Sequence, residues 1–159
     1  MLIDYLYTYY NADHNQGRFF TSNNLAMPVA QLNTIGGFDT TLPRAGGEDR
    51  DLCDRWLHHG YQMTYAPEVL VYHAHALTLR SFLWQHFNYG RGAFYFHKTR
   101  SKRSQGRIRL EPVLFYLNLP CYPFSQARGL QAILLAVLLG VSQMANAIGF
   151  LWERRLQTK

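Results

Sequence analysis

The chain has 159 residues, enough for one compact domain or for a half-domain with an appendage. With 48% hydrophobic and 15% aromatic residues and no Gly/Ser- or Pro-rich tract, it is too apolar for a disordered segment. Its formal charge is +6, and Lys98, Arg100, Lys102, Arg103, Arg107 and Arg109 crowd one stretch that either attracts phosphates or forms a solvated basic loop. No recognised nucleic-acid motif accompanies that charge, so nucleic acid is not expected as a partner. Cys53 and Cys121 lack CxxC or Cys/His spacing, which points to neither a disulfide framework nor a structural zinc and suits a reducing compartment. The first residues lack the basic start and long apolar core of a signal peptide.

Residues 1–10 are aromatic and aliphatic and read as a helix end or a strand, followed by a polar turn over 11–17. Residues 18–26 are apolar and β-branched, which predicts a strand. Residues 28–35 predict a short helix with proline in its first turn and Gly36-Gly37 at its stop. After a loop over 40–47, Leu52, Trp56 and His59 fall on one stripe of a predicted helix 48–59 that Gly60 ends. Residues 61–66 and 68–76 are β-like runs split by Pro67, the second placing His73 and His75 on one strand face. Residues 78–97 predict an aromatic-rich helix interrupted at Gly90-Arg91-Gly92. Pro112, Pro120 and Pro123 punctuate a loop or short helices. No charged residue lies between Arg128 and Glu153, and a helix over 129–152 would be about 36 Å long, enough to cross a bilayer core. Gln131, Ser142, Gln143 and Asn146 favour instead a buried or interfacial helix. If the helix does span, the heavier upstream basic cluster places the main domain in the cytoplasm.

The chemistry concentrates at Gly46-Gly47-Glu48-Asp49-Arg50-Asp51. Acidic residues in a first helical turn are ordinary capping groups, because free N–H groups and the helix dipole favour negative charge there. Glycines also let a backbone approach a ligand closely, and a carboxylate so placed can accept a proton from a hydroxyl. Asn23 and Asn24 either hydrogen-bond a ligand or satisfy a turn. Arg91 can reach a phosphate. Trp84, with Phe87, can stack on a ligand ring or belong to the core. Arg55 is placed to pair with Asp51 one turn earlier.

Thr21-Ser22-Asn23-Asn24-Leu25-Ala26, Ile35-Gly36-Gly37-Phe38-Asp39, Gly47-Glu48-Asp49-Arg50-Asp51-Leu52, Gly60-Tyr61 with Tyr65-Ala66-Pro67-Glu68, and Val71-Tyr72-His73 follow in fixed order and spacing. In this the chain resembles family-two nucleotide-sugar glycosyltransferases of the GT-A fold over roughly residues 18–98. The resemblance implies an α/β fold: a partial GT-A sheet with flanking helices, plus a C-terminal apolar helix. It implies an acceptor-side half of a catalytic domain at 1–98, a basic and proline-containing linker at 99–128, an apolar helix at 129–152 and a basic tail at 153–159. Asp49 resembles the family's catalytic base, which deprotonates the acceptor hydroxyl for an inverting attack on the anomeric carbon. Glu48 resembles the partner carboxylate that contacts the acceptor or orients the site. Gly46, Gly47, Asn23, Asn24, Arg91 and Trp84 are the expected substrate contacts.

His73 resembles a histidine that helps bind the divalent metal or the diphosphate, with His75 a weaker candidate. Mg2+ or Mn2+ is the implied cofactor. Expected partners are a nucleotide-sugar donor, a glycan, lipid or protein acceptor, and the cytoplasmic face of a cell membrane; the alternative location is the cytoplasm. The family's nucleotide-binding strands and Asp-x-Asp motif precede the matched segment, which leads to the expectation of a fragment or of a complementing N-terminal half. A non-catalytic, membrane-linked binding module retaining the fold is the alternative function.

Overall fold

The computed structural model describes residues 1–43, 46–72, 74, 76–103 and 111–158. The described helices are α1 (Leu2–Tyr10), α2 (Val29–Thr34), α3 (Glu48–His58), α4 (Leu79–Arg103), α5 (Val113–Asn118), α6 (Tyr122–Gln126) and α7 (Gly129–Gln157), with 3-10 turns at His14–Gln16 and Ser22–Asn24. Local sequence accounts for several ends. Helix α3 carries Glu48, Asp49 and Asp51 in its first turn and Arg55 and His58 in its last, matching its dipole at both ends. It stops where Gly60 turns to φ +80° and Tyr61 N–H donates to the Trp56 carbonyl at 3.2 Å. Helix α2 stops in the same way at Gly36 and Gly37, both at positive φ.

The expected GT-A sheet is absent: no strand or sheet occurs among the described residues, and the fold there is helical. The segments read as strands, 18–26 and 61–66, do run without regular helix apart from the 3-10 turn, yet they lack a neighbouring strand. A strand is stable only when its N–H and C=O groups find a ladder. Here two backbone bonds tie 61–66 to the turn before the first segment, Gly17 N–H to the Met63 carbonyl at 2.8 Å and Tyr65 N–H to the His14 carbonyl at 2.7 Å. Side chains satisfy much of the rest. Buried Asn11 accepts from Arg18 N–H at 2.9 Å and donates to the Phe19 carbonyl at 2.9 Å, and the Tyr7 hydroxyl accepts from Thr21 N–H at 3.0 Å. The thiol of Cys53 lies 3.5 Å from Phe20 N. Residues 69–72 are exposed and form no ladder, with Tyr72 92% exposed.

Two apolar clusters form. One packs Leu52, Cys53 and Trp56 of α3 against Phe20, Ile35 and Met63. The other gathers Tyr5 of α1, Phe115 of α5, Leu119 and Leu139 of α7. Tyr7 of α1 bridges toward the first cluster through edge-on contacts with Phe20 and Tyr65.

Helices α4 and α7 form the main helix pair. Phe87 meets Gly149, Arg91 pairs with Glu153, and Tyr95 bonds Gln157, so residue numbers rise together and the helices run parallel. The interruption expected at Gly90-Arg91-Gly92 does not occur, since α4 is continuous through it. Those glycines serve packing. A Cβ on Gly90 would lie 1.9 Å from the Asn146 carbonyl oxygen, and one on Gly149 would lie 2.0 Å from that of Phe87, so only hydrogen allows this crossing.

Candidate functional site around Asp49

The site is built at the N-terminus of α3. Gly46 has φ +111°, a region that favours glycine, and its absent Cβ would fall 2.7 Å from the Tyr89 Cα. A Cβ on Gly47 would fall 2.8 Å from the Gly92 carbonyl oxygen. The Gly46-Gly47 backbone, expected to approach a ligand, therefore lies directly against α4. Glu48 is committed as well: its Oε2 accepts from Gly46 N–H at 2.6 Å and Gly47 N–H at 2.8 Å, closing the turn that leads into the helix.

Asp49 differs from every other acid of α3. It is half-buried, and its Oδ1 is buried with no hydrogen-bond partner. Burial raises its pKa above the ordinary carboxylate value; contacts from the Ser22 hydroxyl and backbone amide oppose that rise, and the Glu48 carboxylate adds to it. An acid with an unpaired oxygen and a raised pKa is suited to accept a proton. Ser22 is a neighbour that sequence reasoning did not select. Its only signal was its place in the Thr21–Ala26 motif.

Asp51 serves the architecture. It is fully buried, with Oδ2 at 2.7 Å from Arg55 Nε and Oδ1 at 2.8 Å from an Arg103 nitrogen. Arg55 also donates to the Ile35 and Gly37 carbonyls, each at 2.6 Å, tying α3 to the end of α2. The Asp51–Arg55 pairing read from their spacing is thus present, with three further bonds. Asp54 receives Arg103 at 2.9 Å and Arg100 at 3.1 Å. Two members of the basic cluster are therefore joined to carboxylates of α3, while Arg107 and Arg109 lie outside the described residues. Arg50, next to the candidate base, rests its guanidinium over the Tyr10 and Phe19 rings at 5.1 and 5.0 Å. Tyr10 donates to Glu111 at 2.9 Å, and burial pushes its hydroxyl up to about 12.

Asn23 and Asn24 sit on the 3-10 turn beside Asp49's neighbour Ser22. Asn23 Oδ1 accepts from the Thr21 hydroxyl at 2.5 Å, and Asn24 Nδ2 donates to the Val69 carbonyl at 2.9 Å, tying the turn to the distant backbone. Arg91 does not face a phosphate site: it is buried, bonded to Glu153 at 2.6 Å, and its guanidinium lies 5.8 Å from the centre of the Phe87 ring. Trp84 is 62% exposed, stacks on Phe87 at 5.4 Å, and lines an apolar groove between α4 and α7. His73 and His75 lie outside the described residues. Among the described residues no three His, Cys, Asp or Glu side chains gather as a metal site.

Comparison with known proteins bears on this same region. Residues 7–76 match the family described as the N-terminal domain of galactosyltransferase. Pre-mycofactocin glycosyltransferases from two strains of Mycobacterium tuberculosis are each 32% identical to this chain over 80 residues, which is 50% of this chain and 17% of the relative. The chain thus spans a small part of the length of these relatives. No solved structure matches. The segment carrying Ser22, Asp49 and their supports is therefore similar to glycosyltransferases, and what surrounds Asp49 is a part of the chain shared with enzymes of glycosyl transfer.

Proposed function

We propose that the chain takes part in inverting transfer of a sugar from a nucleotide-sugar donor to an acceptor hydroxyl, with Asp49 as general base. The observation that carries this reading is the unpaired, buried Oδ1 of Asp49 beside a Glu48 carboxylate that is already bonded to Gly46 and Gly47. An acceptor hydroxyl donating to the Asp49 carboxylate would give up its proton there as its oxygen attacks the anomeric carbon and the nucleoside diphosphate leaves. Ser22 steadies the carboxylate. Helix α4, packed on Gly46-Gly47, sets the height of the loop.

A divalent metal would neutralise the departing diphosphate. The described residues supply no ligand cluster for it, so no step here runs through a metal, and its ligands on this reading come from the donor and from residues such as His73. The donor-binding side would belong to a complementing N-terminal half of the enzyme. We place the work at the cytoplasmic membrane face, supported by the length and apolar composition of α7.

The test is sugar transfer by this chain assayed together with the donor-binding half. Asp49→Asn should lower the transfer rate by about 100-fold or more while leaving donor binding intact, the usual scale for losing a positioned base. Transfer should also fall on acidification through a midpoint above the ordinary carboxylate range, because Asp49 must be ionised to act. An Asp49→Asn protein that transfers sugar at the wild-type rate would sink the assignment of Asp49 as the base.

A further inference from the structure

Helix α7 has two unlike faces. Ala132, Leu139, Ser142, Gly149 and Glu153 are buried against the protein. At about 100° per residue, Leu130, Val137, Met144, Ile148 and Leu151 fall on the opposite face, and each is more than half exposed. No charged residue interrupts that stripe from Leu130 to Trp152, a run of roughly 33 Å. Beside it, Leu83, Trp84 and Phe87 of α4 continue the apolar surface across a groove of about 460 Å³ whose edge carries Arg80. Exposed cations stand at both ends: Arg128 before the helix, Arg154 and Arg155 in its last turn. A surface of this extent is unusual for a free soluble face.

We propose that this face docks on an anionic lipid bilayer with α7 lying along the membrane plane, its stripe in the acyl boundary and its flanking arginines on lipid phosphates. Length alone would let α7 cross, but its packing opposes that. Its N-terminal half is held by Tyr5 and Phe115, and its C-terminal half is held by α4 through Gly149 and the Arg91–Glu153 pair. The lobe bearing Asp49 joins both supports, through Tyr7 of α1 and through Arg100 and Arg103 of α4. Setting α7 upright would carry the exposed Arg80, which shares the groove with Val141 and Ala145 in the middle of the stripe, to hydrocarbon depth, where charges are costly. Laid flat, the helix offers lipid its apolar stripe and keeps the ion pairs in water. Trp84 and Trp152, both exposed, suit the headgroup boundary.

This inference deepens the membrane reading above and is independent of the chemistry at Asp49. The purified chain is mixed with sealed vesicles of phosphatidylcholine, with and without phosphatidylglycerol. Binding should be strong on the anionic vesicles and fall about tenfold or more in Val137→Glu/Ile148→Glu, whose exposed positions leave the helical circular dichroism unchanged. In a Cys121→Ser background, Arg128→Cys and Thr158→Cys should both react with a membrane-impermeant maleimide added outside, without permeabilisation; buried Cys53 stays silent. Protection of one of the two until detergent is added would show a crossing helix and overturn the proposal. So would binding unaffected by the two glutamates, or a stable dimer that ignores vesicles, which would make a second copy the occupant. Asp49→Asn should bind vesicles like the wild type, so a loss of sugar transfer and a loss of docking are separately visible.

Discussion

The α3 lobe and the α4–α7 pair are both helical, yet they are held by opposite means. Around α3, polar groups do the joining: Asp51 and Asp54 gather Arg55, Arg100 and Arg103, while Asn11 and Tyr7 satisfy extended backbone. Between α4 and α7 the contact is backbone on backbone, allowed by glycine, with one buried ion pair at Arg91 and Glu153. A polar network tolerates the irregular segments that surround Asp49, because side chains reach groups that a sheet would otherwise bond. A glycine crossing demands regular helices and leaves their outer faces free, which is why the apolar surface collects there.

The largest expected effect tests whether the α4–α7 pair depends on the Arg91–Glu153 ion pair. Glu153→Ala leaves Arg91 buried without its carboxylate and should cost about 3–5 kcal/mol in denaturant unfolding, whereas Glu153→Gln, which can still accept a bond, should cost less. A loss under 1 kcal/mol for the alanine would mean that the glycine contact alone holds the pair. Gly149→Val should cost about 3 kcal/mol, because the new Cβ meets the Phe87 carbonyl at 2.0 Å and the helices must part. Vesicle binding measured on that variant would report whether the stripe needs α4 beside it. The smallest effect lies in the α3 lobe. Asp49→Asn should raise the melting temperature at neutral pH by about 1 °C, since a half-solvated carboxyl contributes little. The sign follows from its raised pKa: folding favours the protonated form, so its contribution is present at low pH and lost as pH rises through the folded pKa. The gain should therefore vanish in acid, and a destabilised Asp49→Asn would mean that Asp49 is a structural cap like Glu48.

Several features were legible from neighbouring residues. The helix expected at 48–59 is Glu48–His58, the one expected at 28–35 is Val29–Thr34, and the apolar helix begins at Gly129 as expected and runs on to Gln157. Each depends on caps, glycine stops or spacing of three and four residues, which act within one or two turns. The strands at 18–26 and 61–66 failed for the opposite reason: alternation shows that a segment can pair, and says nothing about whether a partner lies beside it. Likewise Gly90 and Gly92 looked like a break, since the sequence does not reveal that Asn146 and Gly47 would press against them.

At the candidate site, the sequence by itself singled out Asp49 and its helix start, placed Arg55 opposite Asp51, and marked the long uncharged stretch. Those are short-range facts of helix geometry and charge. Only the tertiary structure decided that Glu48 closes a turn, that Arg91 serves Glu153 instead of a phosphate, and that Arg100 and Arg103 clamp α3. Their partners lie tens of residues away, and a side chain that can serve ligand or scaffold takes whichever role the packed chain brings within bonding distance. What that packing left to Asp49 is one buried oxygen with nothing bonded to it.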